Sequence, residues 1–150
     1  MKLGGSRKRG FRAAACGLLT LGACLAAVSA AAAEVRVVVE GMRSDKGDLL
    51  VAVCGEEAFL TAECRHTARA PAAGGEATVI DVPAGAYAVQ AFHDENRNGT
   101  IDYRLGFRPL EGMGFSRDAP MRRGPPRFAD AMFDLREPGG TLTLTMRYFQ

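Results

Sequence analysis

The run Asp94-Glu95-Asn96-Arg97-Asn98-Gly99-Thr100-Ile101-Asp102 has the residue types and spacing of a loop that wraps a hard cation. Side-chain oxygens fall at positions 1, 3, 5 and 9, from Asp94, Asn96, Asn98 and Asp102. Gly99 at position 6 permits the sharp turn, and Thr100 stands at position 7, where such loops offer a backbone carbonyl. The chemistry that follows is Ca²⁺ binding rather than catalysis. Leu105 occupies position 12, where an EF-hand has its bidentate Glu, so the expected affinity is weak, on the order of 10⁻⁴ to 10⁻³ M. Glu95 or Glu111 could add a carboxylate, although Glu95 should point outward. The competing reading is a metal-free turn, because Asn and Asp bond their own backbone and Asn-Gly is a hairpin signal by itself.

Other chemistry-bearing residues are few. His66 and His93 are the only histidines. A Ser116/His93/Asp94 triad is disfavoured because adjacent strand residues face opposite ways, and no G-x-S-x-G elbow exists. No catalytic residue is assigned, and the chain reads as non-enzymatic. The alternative is a small-ligand hydrolase or carrier using His93 and the segment 103–127. Arg122, Arg123 and Arg127 flank Gly124-Pro125-Pro126, either as solvated arginines or as a seat for an anionic glycan, lipid head group or phosphate.

Location frames these readings. Lys2, Arg7, Lys8, Arg9 and Arg12 precede an uncharged run from Ala13 to Ala33, with small-x-Ala cleavage sites at Val28-Ser29-Ala30 and Ala31-Ala32-Ala33. Residues 1–33 therefore read as a signal peptide, and the protein as periplasmic or secreted. An uncleaved anchor is the rival, and Leu21-Gly22-Ala23-Cys24 looks like a lipobox that would tether the chain to a membrane through Cys24. The leader holds 5 of the 19 basic residues and no acid, leaving 14 against 17, a net −3. That charge removes the footprint expected of a nucleic-acid partner. Residues 34–150 suit one domain, expected to be monomeric, meeting an envelope protein or surface ligand. Cys54 and Cys64 remain there, an even pair that predicts one disulfide in an oxidising compartment. A metal site of Cys54, Cys64, His66 and His93 is the alternative, and it matches no zinc spacing.

The elements that must position these residues are strands. Period-2 alternation appears in Val35/Val37/Val39, Leu49/Val51/Val53, Ala77/Val79, Tyr87/Val89/Ala91, Ala131/Phe133/Leu135 and Leu142/Leu144/Met146. Arg65–Ala70 is a weaker strand, and Glu56–Ala62 suits one helical turn carrying Phe59 and Leu60. Short strands separated by Gly/Pro/Asp turns predict an all-β fold, a single antiparallel β-sandwich of six to eight strands. Residues 103–127 lack periodicity but contain Phe107, Leu110, Met113 and Phe115, which predicts a long ordered loop packed over one end.

The longer patterns are Ala84-Gly85-Ala86-Tyr87-Ala88-Val89, His93-Asp94-Glu95-Asn96-x-Asn98-Gly99-x-x-Asp102, Glu111-Gly112-x-Gly114-Phe115-Ser116 and Gly124-Pro125-Pro126-x-Phe128-x-Asp130-Ala131. In that order, from Val35 to Tyr148, the chain resembles the exported bacterial family called domain of unknown function 2141. The resemblance implies a transthyretin-like or immunoglobulin-like sandwich in the envelope or outside the cell, and it brings no activity. Transthyretin-like hydrolases of purine catabolism end Tyr-Arg-Gly-Ser, whereas this chain ends Met146-Arg147-Tyr148-Phe149-Gln150. The Asp94 loop is also similar to the D-x-N-x-[DN]-G-x-x-D loops of bacterial surface sandwiches, which bind Ca²⁺ at the end of a strand.

Overall fold

A computed structural model describes residues 32–106 and 108–149. Residues 1–31, which hold most of the expected signal peptide and Cys24, lie outside the described residues, as does Phe107. The strands are β1 (Ala33–Glu40), β2 (Asp48–Cys54), β3 (His66–Pro71), β4 (Glu76–Val82), β5 (Gly85–Asp94), β6 (Tyr103–Arg104), β7 (Arg108–Pro109), β8 (Gly112–Phe115), β9 (Phe133–Leu135) and β10 (Gly139–Thr145). One short helix, α1 (Phe128–Ala131), precedes β9.

Two sheets face each other, ordered β10-β1-β4 and β3-β2-β5-β8, with β9 pairing the first half of β5. Alternation dictates the core. Val35, Val37 and Val39 of β1 meet Leu49, Val51 and Val53 of β2, Val79 of β4, Val89 and Ala91 of β5, and Leu144 of β10, all buried. Burying each of these Val and Leu side chains stabilises the fold by about 1.5–3 kcal/mol relative to exposure. The fold is the all-β sandwich that the alternation predicts. One pairing is parallel: β1 lies beside β10, with Val37 opposite Leu142, so the two ends of the domain close one sheet together. A second cluster forms around Phe59, whose ring meets those of Phe115 and Phe128 edge-on at 5.9 and 5.8 Å. Cys54 and Cys64 form the expected disulfide beside it. In the chain-entropy model, closing that ten-residue separation stabilises the fold by roughly 2–3 kcal/mol.

Residues 103–127, expected as a long ordered loop without regular periodicity, carry short strands. The segment holds the β6–β7 hairpin and β8, which pairs with β5 from Gln90↔Phe115 to His93↔Gly112. Leu110 is 45% exposed rather than packed, while Phe115 is buried. The strand escaped the periodicity because its inward positions are glycines. A Cβ on Gly112 would stand 2.5 Å from the Tyr148 ring and 2.7 Å from Met146 Cγ, and one on Gly114 would stand 2.5 Å from Leu144. Only glycine lets the end of the β10 strand come this close. There Met113 and Arg147 exchange two backbone hydrogen bonds, each 2.9 Å, which tie the sheets together. Ala33, the last residue of the expected signal peptide, begins β1, faces Val82 and is 1% exposed.

Gly112→Ala should lower stability by about 1–3 kcal/mol through overpacking, read as a reduced urea midpoint. Gly140→Ala, where a Cβ meets nothing within 4 Å, should leave the midpoint nearly unchanged.

Candidate functional site

Strand β5 ends at Asp94, whose carboxylate is completely buried and organises the loop that follows. Its Oδ1 accepts the Asn98 N–H at 3.0 Å and its Oδ2 accepts the Gly99 N–H at 2.8 Å. Asn96 Oδ1 accepts the same Asn98 N–H at 3.0 Å, and Asn98 Oδ1 accepts the Thr100 N–H and hydroxyl at 2.8 and 3.1 Å. Asp102 closes the ring, with Oδ2 accepting the side-chain amides of Asn96 and Asn98 at 2.6 and 3.0 Å. All five residues that the sequence singles out thus lie in one loop, knitted by its own hydrogen bonds. The positive φ of Gly99 and of Arg97 supplies the turn.

Glu111 is the residue that this ring does not satisfy. It is 4% exposed, its Oε2 accepts the Asp102 N–H at 3.3 Å, and its Oε1 is buried with no hydrogen-bond partner. Burial pushes its carboxyl above the ordinary range, and the nearby Asp94 and Asp102 carboxylates push the same way. The positive charge nearest Asp94 is the half-exposed Arg69 guanidinium, 3.5 Å away and shared with Asp48. Among the described residues, no three His, Cys, Asp or Glu side chains converge as a ready-made metal centre. The candidate ligand atoms of Asp94, Asn96, Asn98, Asp102 and Glu111 are nonetheless oxygens, which suits a hard cation, and an orphaned buried carboxylate oxygen beside two more carboxylates fits one.

Neighbouring groups fix the base of the loop. His93 is fully buried, with Nε2 2.6 Å from the Lys46 carbonyl and Nδ1 2.6 Å from the Tyr148 hydroxyl. A carbonyl only accepts, so Nε2 carries the proton and Nδ1 takes the Tyr148 O–H, which itself accepts the Arg43 N–H at 3.1 Å. Gly47 next to Lys46, at φ +78°, packs against the Asp94 backbone where a Cβ would overlap it. Arg43 lies 4.5 Å from the Tyr148 ring centre and donates to Glu95 at 2.9 Å. That guanidinium, helped by the Ser44 hydroxyl, brings the Glu95 carboxyl down to about 2. Glu95 therefore serves the surface, as its expected outward direction implies.

The other candidate chemistry is spoken for. Ser116 Oγ accepts the Val89 N–H at 2.9 Å and donates to the Ala131 carbonyl at 2.6 Å. It lies four residues beyond the partner of His93, roughly 13 Å along a strand. The disulfide consumes both thiols of the alternative zinc set, His66 packs edge-on against Tyr87, and both His93 nitrogens are engaged. The Tyr148 and Arg69 partners were missed in the sequence, where nothing links residues 55 or 25 positions apart.

Because Glu95 stays ionised in the fold where the unfolded chain protonates, its stabilisation is complete above about pH 4.5 and is lost as pH falls toward 2. The stability advantage of the wild type over Glu95→Gln should therefore be full at neutral pH and vanish across that window, followed by denaturant melts.

No curated protein and no solved structure matches this chain. One family model, described as an uncharacterized protein conserved in bacteria, matches residues 37–143, from the middle of β1 into β10. The chain therefore belongs to the uncharacterized bacterial family DUF2141.

Proposed function

We propose that this protein is an exported, non-enzymatic binding module of the cell envelope whose Asp94–Asp102 loop is completed by a Ca²⁺ ion. The observation that carries the reading is the buried, unpartnered Glu111 Oε1 beside the Asp94 and Asp102 carboxylates. Asp94, Asn96, Asn98, Asp102 and the Thr100 carbonyl would hold the ion, with Glu111 supplying from β8 the carboxylate that position 12 lacks. The ion would order the loop and neutralise a carboxylate cluster, a structural task with affinity on the order of 10⁻⁴ to 10⁻³ M. A hydrolase reading has less support, because the His93 nitrogens and the Ser116 hydroxyl are already engaged.

Calorimetric titration of Ca²⁺ into chelator-treated protein should give binding in that range and a raised melting temperature. Asp94→Ala should abolish both. Glu111→Gln should weaken binding about tenfold while making the cation-free protein more stable, since it removes a buried orphan charge. Absence of heat and of stabilisation would reduce the loop to a turn.

Export is supported by the leader pattern, and the burial of Ala33 favours cleavage after Ala30 over cleavage after Ala33. The intact mass of the exported protein should correspond to a chain beginning at Ala31. A mass beginning at a lipid-modified Cys24 would establish the anchored form instead.

A further inference from the structure

The outer face of the β3-β2-β5-β8 sheet carries apolar side chains where a solvated sheet would carry polar ones. Leu50 and Ala52 of β2, Phe92 of β5 and Met113 of β8 alternate with residues of the inter-sheet core and are half-buried. They floor a groove of ≈ 960 Å³, walled by residues 60–62, by Gly99, Ile101 and Tyr103, and by residues 121–125. Leu60 and Tyr103 are large apolar residues left 41% and 51% exposed at it. That volume lies at the upper end of small-molecule sites, and a concavity of this size suits a small ligand better than a folded partner.

Charge identifies the ligand class. Among the described residues, four arginines line the groove (Arg69, Arg108, Arg122 and Arg123) and no Asp or Glu does, although residues 34–150 carry a net −3. Arg69 is held by Asp48 and Asp94. Among the described residues, Arg108, Arg122 and Arg123 form none of the ion pairs, which leaves three guanidinium groups unopposed over an apolar floor.

We propose that this groove binds a single-chain amphiphile with an anionic head, carboxylate or phosphate. The chain lies on Leu50, Phe92 and Met113, and the head is met by Arg122 and Arg123. Burial of the alkyl chain drives binding, while the planar guanidinium forks select an oxyanion over a neutral head. Neither interaction requires a cation in the Asp94 loop, so the inference stands apart from the Ca²⁺ reading.

The test is calorimetric titration of dodecanoate and dodecyl phosphate, each below its micelle concentration, into the purified protein. Dodecyl maltoside is the probe without charge and inorganic phosphate the probe without a chain. One anionic amphiphile should bind per chain, and the tighter of the two names the head group. Arg122→Gln combined with Arg123→Gln changes exposed residues only and should weaken binding about tenfold or more. Leu50→Glu should abolish it, with an unchanged melting profile reporting an intact fold. Equal binding of dodecyl maltoside, binding of inorganic phosphate as tight as that of dodecyl phosphate, or indifference to the arginine substitutions would overturn the proposal. So would failure of both anionic amphiphiles to bind, including the case where sedimentation shows this face covered by a second copy of the chain.

Discussion

A carboxylate with no exposure at the end of a strand is a severe constraint, and Asp94 is one. Desolvating that charge is tolerable only where donors replace water. The Asn98 and Gly99 N–H groups do so, which bends residues 95–102 back over the strand end. The bend brings Asp102 beside Asn96 and Asn98, and the Asp102 N–H then reaches Glu111 at the start of β8. One buried acid thus sets where the loop, the second acid and the third acid lie. The same loop sends Gly99 and Ile101 to the wall of the outer groove, so the shape of that wall depends on the Asp94 bonds.

The other half of the positioning comes from close approach between sheets. Glycines at 112 and 114 let β8 lie against the end of the β10 strand, and the paired Met113–Arg147 bonds hold it there. Tyr148 then reaches His93, whose second nitrogen holds the Lys46 carbonyl and so the turn containing Gly47. The buried His93 thus joins three segments. Its two bonds lock one tautomer, and the ring sits edge-on to Tyr148 with centroids 6.1 Å apart. These bonds link the loop, the turn and the C-terminal segment at one residue.

Much of this was legible in the residues. Alternation located the core faces of β1, β2, β4, β5 and β10, because one buried face imposes a period of two. The Cys54–Cys64 pairing followed from even cysteine usage, and the spacing D-x-N-x-N-G-x-x-D marked the loop. What stayed hidden has physical reasons. β8 has glycines where a strand normally shows hydrophobic residues, so pattern alone reads it as coil. The parallel β1–β10 pairing joins the two ends of the chain, and nothing local encodes such a contact. The outer groove did leave a trace: Leu49-Leu50-Val51-Ala52-Val53 is apolar without interruption, the mark of a strand covered on both faces. Arg69 and Tyr148 carried no such trace, because their partners are brought to them only by the fold.

The proposed Ca²⁺ site requires the oxygens of Asp94, Asp102 and Glu111 to face a common cation. The most direct measurement is a crystal structure grown in Ca²⁺ with anomalous diffraction data. An anomalous peak bonded to all three carboxylates, with Glu111 Oε1 among the ligands, is the expected result. A loop closed by the Asn96 and Asn98 amides on Asp102, with no peak and a water molecule on Glu111 Oε1, would contradict it.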